Sequence, residues 1–275
     1  MSSQMKLENR TAMVTGAASG IGRALAGALA KRGCHLALAD INLPSLERTV
    51  ELVTAPGLRV SCHRLDVADA DAVADFPRVV LANHPGVDLL FNNAGVALGG
   101  TFEQVSDDEF EWLFGINFRG MVRMTRAFLP LHKASDDARL IYLSSVFGLI
   151  GAPGQTAYTA SKFAIRGFAE SLRHELEGSR IGVTVVHPGG VSTSIADIAR
   201  TPAAVSISRE EMERKNEAWR KALRLPPDEA AETIIRGVEN RRARLLVGSD
   251  AKVIDMAARL APVSYWKLLE PLHPK

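Results

Sequence analysis

The sequence predicts an α/β protein built on one doubly wound parallel sheet with helices on both faces. Short apolar runs alternate with helical patterns, a glycine-rich turn joins the first strand to its helix, and small or polar residues follow several strands. A length of 275 residues and a 47% hydrophobic share suit one large core without repeats. We therefore expect a single domain over residues 1–275.

Composition narrows the class of protein. The net charge is +2 without a long basic run, which gives no support to a nucleic-acid groove. The two cysteines, Cys34 and Cys62, lie in strand-like stretches without metal-ligand spacing, which predicts thiols in a reducing compartment and no metal site. Residues 1–8 are polar, and no apolar run is long enough to span a bilayer. These features predict a cytoplasmic protein without an integral membrane segment.

The first strand and turn indicate a phosphate-binding site. The predicted strand Thr11–Thr15 is followed by a turn over residues 16–22, which contains Gly16, Gly20 and Gly22, and then by a helix over residues 23–32. Glycines let the backbone approach a ligand, and the new helix offers free N–H groups and a positive dipole end to a pyrophosphate. An ordinary tight turn is the alternative, because the spacing differs from the common Gly-x-Gly-x-x-Gly fingerprint.

The second strand favours NAD as the ligand of that turn. It is predicted over residues 35–40 and ends at Asp40, near the distance from Gly22 at which a dinucleotide fold places an acid on the adenosine ribose. A ribose 2′-phosphate would be repelled by this carboxylate. The alternative is that Asp40 caps the next helix, but Asn42 could serve as that cap.

Polar and small residues also follow the later strands. The predicted third strand, over residues 58–65, ends at Asp66-Val67, and Asp66 could cap the helix over residues 69–83 or face adenine. The fourth strand, over residues 87–91, opens into Asn92-Asn93-Ala94-Gly95, which could line a cleft or simply form a turn. The remaining strands are predicted over residues 140–145, 181–187 and 245–247, and the turn over residues 188–193 follows the sixth of them.

A candidate proton-transfer pair lies on the helix after the fifth strand. Tyr158 and Lys162 are four residues apart and therefore project from the same helix face. A nearby Lys cation favours the phenolate, which moves the phenol toward acid/base chemistry. A packed aromatic beside a solvated charge is the more common meaning of such a pair, so the pair needs partners to be convincing.

Taken together, the motifs resemble the short-chain dehydrogenase/reductase family over about residues 8–193. The matching motifs, in order, are Thr15-Gly16-x-x-x-Gly20-x-Gly22, Asn92-Asn93-Ala94-Gly95, Asn117, Ser145, Tyr158-x-x-x-Lys162 and Pro188-Gly189. The resemblance implies a Rossmann-type sheet of about seven strands in the order 3-2-1-4-5-6-7.

The resemblance also implies roles for four residues. Tyr158 would be the catalytic acid/base, Lys162 its electrostatic partner and ribose ligand, Ser145 a ligand of the carbonyl oxygen, and Asn117 the anchor of a proton-relay water. Ser145 lies at a strand's carboxyl end, where ligands of such sheets bind, and Ser144 is its nearest competitor. Asn117, in an apolar helix, could instead be a hydrogen-bonded core amide.

By the same resemblance, the turn after the sixth strand would hold a nicotinamide. Thr193 would bind its carboxamide and Val191 would support it, whereas His187 is expected to be packed. NAD(H) is the expected cofactor, and NADP(H) is disfavoured. The expected cofactor-binding residues are Gly16, Ser19, Gly20, Ile21, Gly22, Asp40, Asp66, Val67, Asn93, Ala94, Gly95, Tyr158, Lys162, Pro188, Gly189, Val191 and Thr193.

The segment over residues 194–225 breaks the alternating pattern and is predicted to be a substrate lid. Its spaced apolar residues, with Val96, Leu98, Phe147 and Leu149, would enclose a hydrophobic cleft for a bulky, lipid-like or cyclic substrate. An exposed connector is the alternative. The C-terminal Tyr265–Leu269 stretch could lie on a membrane surface or close a neighbouring subunit's cleft.

These observations predict an oxidoreductase that transfers a hydride between a nicotinamide cofactor and a small-molecule substrate, a hydrophobic secondary alcohol or ketone. The alternative is a regulatory or scaffold protein that binds NAD without turnover. A homodimer or homotetramer is expected, because relatives pair through the helices that match residues 107–131 and 156–178 here. Their large apolar side chains are Trp112, Phe114, Phe118, Phe128, Phe163, Phe168 and Leu172.

Overall fold

The computed structural model describes residues 4–195, 198–205, 211, 213–214, 217 and 223–270. Its centre is a seven-stranded parallel sheet in the order β3-β2-β1-β4-β5-β6-β7, which confirms the predicted fold class and strand order. The strands are β1 Thr11–Thr15, β2 His35–Asp40, β3 Val60–Arg64, β4 Leu89–Asn92, β5 Ala138–Leu143, β6 Ile181–Pro188 and β7 Arg244–Val247.

Helices cover both faces of the sheet. They are α1 Gly20–Ala30, α2 Leu43–Val53, α3 Ala70–Leu81, α4 Asp107–Phe114, α5 Met121–Ala134, α6 Thr156–Glu175, α7 Pro227–Glu239, α8 Ser249–Leu260 and α9 Tyr265–Leu269. The order of the strands reverses between β1 and β4, which places a crevice at the carboxyl ends of these two central strands.

The strand residues alternate between two hydrophobic layers. Val14 of β1 packs with side chains of α1, α2 and α7, whereas its neighbour Met13 packs with those of α3, α5 and α6. Because successive side chains of a strand point to opposite faces, a strand buried on both sides must be apolar at nearly every position. This explains why the central strands are continuous apolar runs.

A π-helical turn, Gly115–Gly120, separates α4 from α5, where the sequence suggested one apolar helix. Such turns insert one extra residue into a helix and occur frequently at functional sites. Gly120 allows the turn to pack closely, since a Cβ there would lie 2.8 Å from Val67 Cγ2. Asn117 is the buried polar residue in this turn.

The large apolar side chains of α4, α5 and α6 differ in burial. Phe128 and Leu172 point inward and belong to the hydrophobic core, so they offer no surface to a second copy. Phe118 meets both Phe114 and Phe168 edge to face, and Phe163 remains 38% exposed. Within the described residues, no helix is both long and apolar enough to cross a membrane.

Candidate active site

Tyr158 and Lys162 lie on one face of α6, as their spacing predicts, and both are buried. The Lys162 Nζ atom is 5.5 Å from the centre of the Tyr158 ring and donates a hydrogen bond of 3.0 Å to the backbone oxygen of Leu143. Leu143 ends β5, so this bond ties the ammonium to the carboxyl edge of the sheet. The ring of Phe147 meets the Tyr158 ring edge to face at 6.0 Å.

Burial, rather than the neighbouring ammonium, dominates the titration of this pair. It raises the pKa of Tyr158 to about 12, against a smaller lowering by a hydrogen bond with Ser145. It lowers the pKa of Lys162 to about 8. In the protein without bound cofactor the phenol is therefore neutral at pH 7 and can give a proton. The sequence analysis expected Lys162 to lower the pKa of Tyr158, but burial raises it instead.

The two serines after β5 have different partners. Ser144 Oγ donates to the backbone oxygen of Lys162 at 2.9 Å, which joins the strand end to α6. Ser145 has the hydrogen bond with the Tyr158 side chain, so it, rather than Ser144, lies beside the phenol. His187 is fully buried, and its Nδ1 donates to the Ser145 backbone oxygen at 3.0 Å. The expected packed histidine therefore supports the serine backbone.

Asn117 is held on both sides. Its Oδ1 accepts from the Val96 backbone N–H at 2.8 Å, and its Nδ2 donates to Val96 O at 3.0 Å and to Ser161 Oγ at 3.2 Å. A Cβ on Gly95 would lie 3.2 Å from Asn117 Oδ1 and 3.6 Å from Lys162 Nζ. The structure therefore brings Asn117 next to Lys162, with its amide satisfied by protein groups.

The glycine turn has the shape that a close-approaching ligand needs. Gly16 and Gly20 have φ values of +67° and +50°, which favour glycine. A Cβ on Gly22 would lie 2.0 Å from Gly16 O, so the turn cannot close with a larger residue there. Ser19 precedes α1 without a side-chain capping bond, so its side chain leaves the first N–H groups of the helix to a phosphate. The turn therefore fits a pyrophosphate.

Asp40 stands beside this turn. Its Oδ2 accepts from the Ala18 N–H at 3.0 Å and its Oδ1 from the Asn42 N–H at 2.9 Å. Asn42 caps α2 by accepting from the Ser45 N–H, so Asp40 is not that cap. Arg23 is turned into the protein, where it donates to Thr49 Oγ1 at 2.9 Å and to Ala18 O.

The segment after β4 is tied to the end of β1. Asn93 Nδ2 donates to Thr15 O at 2.9 Å and to Gly16 O at 3.1 Å, and Thr15 Oγ1 accepts from the Asn93 and Ala94 N–H groups. These bonds join the two strands on either side of the crevice. Asn93 is therefore a brace for the glycine turn as well as a residue lining the crevice.

Asp250, which the sequence analysis missed, holds the turn after β6. Its Oδ2 accepts from the Gly190 N–H at 2.6 Å, and a Cβ on Gly189 would lie 2.2 Å from its carboxylate. The opposite end of this turn meets the glycine turn, because a Cβ on Gly20 would lie 3.0 Å from Thr193 Cγ2. A lone carboxylate far downstream of the turn carries no local signal, so only the folded chain reveals this contact.

Many of the predicted site residues line one continuous cleft. These are Ile21, Asn93, Gly95, Ser145, Tyr158, Lys162, Pro188, Gly189, Val191 and Thr193. Asp66 and Val67 are not among its lining residues. Asp66 is exposed and accepts from the Ala68 N–H at 2.8 Å, whereas Val67 is buried against the π-helical turn.

Residues of the 194–225 segment, as far as the structure describes them, line one part of the cleft, which we call its outer half. Arg200 pairs with Leu98 in a short bridge, and Leu225 returns to pair with Val191. Ile207 and Trp219, two further apolar residues of the predicted lid, lie outside the described residues. The cleft in this half is lined mainly by apolar side chains, among them Ala97, Phe147, Ile150, Ile195, Val205, Leu223, Ile254, Trp266 and Leu269.

One expectation about this outer half needs correction, and the C-terminal stretch has a contact that was not expected. Val96, Leu98 and Leu149 do not line the cleft. Leu98, for example, is buried in a hydrophobic cluster that also contains Tyr158. Tyr265 Oη accepts from the Gly151 N–H of the same chain at 2.8 Å, and Trp266 lines the chain's own cleft. The C-terminal aromatics therefore close their own cleft, a possibility the sequence analysis did not include.

Known proteins resemble this chain over most of its length. A sequence model described as short chain dehydrogenase matches residues 10–203. The SadH protein of Mycobacterium tuberculosis is 41% identical over 265 residues, which cover 95% of this chain and 94% of that protein.

Solved structures agree with this match. A short-chain dehydrogenase/reductase from Burkholderia phymatum in complex with NAD has a TM-score of 0.81 at 30% identity and 98% coverage of both chains. An alcohol dehydrogenase from Thermococcus sibiricus, complexed with 5-hydroxy-NADP, has a TM-score of 0.72 at 28% identity, covering 86% of this chain and 94% of that one. With its family-model match and its sheet order, this chain belongs to the short-chain dehydrogenase/reductase family.

Proposed function

We propose that this protein is an NAD(H)-dependent alcohol dehydrogenase or carbonyl reductase that acts on hydrophobic secondary alcohols and ketones. The observation that carries the proposal is the buried Tyr158 phenol, hydrogen-bonded with Ser145 and close to Lys162 in the lining of a mainly apolar cleft. A neutral phenol and a hydroxyl beside it can serve the same carbonyl oxygen.

A nicotinamide cofactor, when bound, supplies or accepts the hydride. In the reductive direction Tyr158 gives its proton to the oxygen of the substrate as negative charge develops there, while Ser145 donates a hydrogen bond to the same atom. The Lys162 ammonium stabilises the phenolate that Tyr158 becomes. Asn117, held next to Lys162, would anchor the route by which the proton is replaced.

Binding of the cofactor would fall to the crevice residues. The glycine turn and the N-terminus of α1 would hold the pyrophosphate, Asp40 the adenosine ribose, and the turn after β6 the nicotinamide. Asp66 and Val67 remain proposed contacts for the adenine end. Asp40 supports NAD(H) over NADP(H), because its carboxylate would repel a 2′-phosphate and Arg23 is engaged inside the protein. The name of the Burkholderia relative's complex agrees with this choice, whereas the Thermococcus relative binds an NADP derivative.

The apolar lining of the outer cleft supports a bulky hydrophobic substrate. The free thiols Cys34 and Cys62 agree with a reducing compartment such as the cytoplasm. A dimer or tetramer remains the proposed assembly, with the exposed Phe163 of α6 in the contact.

A turnover screen tests the proposal. Ketones and alcohols of increasing apolar size would be assayed with NADH, NAD, NADPH and NADP, following absorbance of the reduced nicotinamide. We expect turnover with large apolar ketones and NADH. Tight NADH binding without turnover of any substrate would favour the regulatory alternative, and a preference for small polar ketones would contradict the hydrophobic cleft.

A further inference from the structure

Helices α8 and α9 carry an unusual exposed apolar surface. Among the exposed large hydrophobic side chains of the described residues, five lie close together in the sequence: Val253, Met256, Leu260, Val263 and Leu268. Leu260 is 78% exposed and Val263 95%. We call these five residues the C-terminal apolar face.

The orientation of α8 explains why this face is not part of the core. Met256 and Leu260 follow Val253 at three and seven positions along the helix, so the three side chains form one stripe. The two carboxylates of α8 contact other parts of the protein. Asp250 holds the turn after β6, and Asp255 is 14% exposed and pairs with Arg244 of β7 at 2.5 Å. These contacts anchor α8 on the protein and leave its apolar stripe outward.

The face is continuous with the mouth of the cleft. Val253 lies in the stripe and also lines the cleft, and Trp266 of α9 lines the cleft while the nearby Leu268 points outward. The hydrogen bond of Tyr265 to Gly151 fixes α9 in this position. An apolar surface that leads directly into an apolar cleft suits a partner from which a lipid-like substrate can enter.

Charge distinguishes an anionic lipid surface from a second copy of the chain. Lys252 and Arg259 are two helical turns apart, so both flank the same side of the stripe, and both are exposed. Lys267 on α9 is exposed as well. Two carboxylates offset part of this positive charge: Asp255 pairs with Arg259 at 3.0 Å, and Glu270 is exposed at the end of α9. Anionic headgroups would attract these cations, whereas a second copy of the chain would have to place carboxylates opposite them.

We propose that the C-terminal apolar face docks on anionic phospholipid, so that the mouth of the cleft opens onto the membrane surface. The docking stands on the exposed face alone, whereas delivery of a lipid-like substrate through the mouth also rests on the proposed function. Peripheral binding of this kind needs an exposed apolar surface flanked by cations and no spanning helix.

Vesicle co-sedimentation without substrate tests the docking separately from catalysis. The full chain would be mixed with vesicles of phosphatidylcholine alone or of phosphatidylcholine blended with phosphatidylglycerol. We expect binding to the anionic vesicles, and about tenfold weaker partitioning for the double variant Leu260→Ser/Val263→Ser, neither residue of which lines the cleft. The matched control is Leu52→Ser on α2, where a leucine is 72% exposed far along the chain from this face.

The outcomes separate the possible occupants. Unchanged vesicle binding by the double variant, or no binding by the unsubstituted protein, would overturn the proposal. A smaller oligomer for the double variant in light scattering, without vesicles, would assign the face to a second copy and overturn it as well. Failure of every ketone in the turnover screen would remove the proposed function while leaving a positive vesicle result intact.

Discussion

Replacing Lys162 with methionine should make the cofactor-free protein more stable while removing its activity. Burial lowers the pKa of Lys162 from 10.5 to about 8. At about 1.36 kcal/mol per pKa unit, the buried charge costs about 3 kcal/mol of folding free energy at pH 7. Methionine fills similar space without charge, but leaves Leu143 O without the Lys162 hydrogen bond, which costs about 1 kcal/mol. The expected net gain is about 2 kcal/mol.

The gain should depend on pH in one direction. Below pH 8 the lysine is charged in both the folded and the unfolded chain, so the penalty is complete. Between about pH 8 and 10.5 the folded protein releases this proton while the unfolded chain keeps it, so the penalty shrinks as pH rises. Lys162→Met should therefore be more stable than the unsubstituted protein at pH 7 and nearly equal to it at pH 10.

Urea denaturation of the cofactor-free protein, at a fixed protein concentration and at pH 7 and pH 10, measures this difference. Lys6→Met is the matched control, because Lys6 is exposed and its replacement should change the unfolding free energy little at either pH. A Lys162→Met variant that is less stable at pH 7, or whose difference does not change with pH, would refute the reasoning.

Three further predictions concern the cofactor and the assembly. In fluorescence titration the unsubstituted protein should bind NADH roughly tenfold or more tightly than NADPH, and Asp40→Ala should narrow this difference. Equal affinities in the unsubstituted protein would contradict the role of Asp40. Asp250→Ala should weaken NADH binding about fivefold, because the Gly190 N–H loses its acceptor. Asp250→Asn keeps an acceptor oxygen and should weaken binding less. Unchanged affinity in the alanine variant would show that Asp250 does not position the turn for NADH. Light scattering at micromolar concentration should give a mass above the 29.7 kDa of one chain, and Phe163→Asp should lower it; a 29.7 kDa species alone would exclude the proposed assembly.

The fold was predictable because its signals are local. β1 and β2 have the predicted bounds, since each is a continuous apolar run that ends at a glycine turn or a carboxylate. The π-helical turn at Asn117 was not predictable, because the neighbouring residues are equally compatible with a regular helix. Its extra residue is stabilised by packing of Gly120 on Val67, a contact between distant parts of the chain.

The candidate site was likewise predictable only where its signals are local. The spacing of Tyr158 and Lys162 places them on one face wherever the helix lies, so sequence alone could pair them. The pKa values depend on burial by the whole fold, which is why the sequence suggested a phenol acidified by Lys162 and the structure has one that burial makes less acidic. Asp250 and Trp266 reach the cleft only because α8 and α9 pack beside it. No sequence motif predicts that packing.

The proton-donating role of Tyr158 is most directly tested by replacing it with phenylalanine, which keeps the ring and removes only the hydroxyl. With a ketone that the turnover screen identifies, Tyr158→Phe should reduce kcat by about 10²–10⁴-fold, while the affinity for NADH changes less than about threefold. Ser145→Ala should lower kcat as well, through loss of the hydrogen bond to the same oxygen. A phenylalanine variant that keeps kcat within about tenfold of the unsubstituted enzyme would contradict the proposed chemistry.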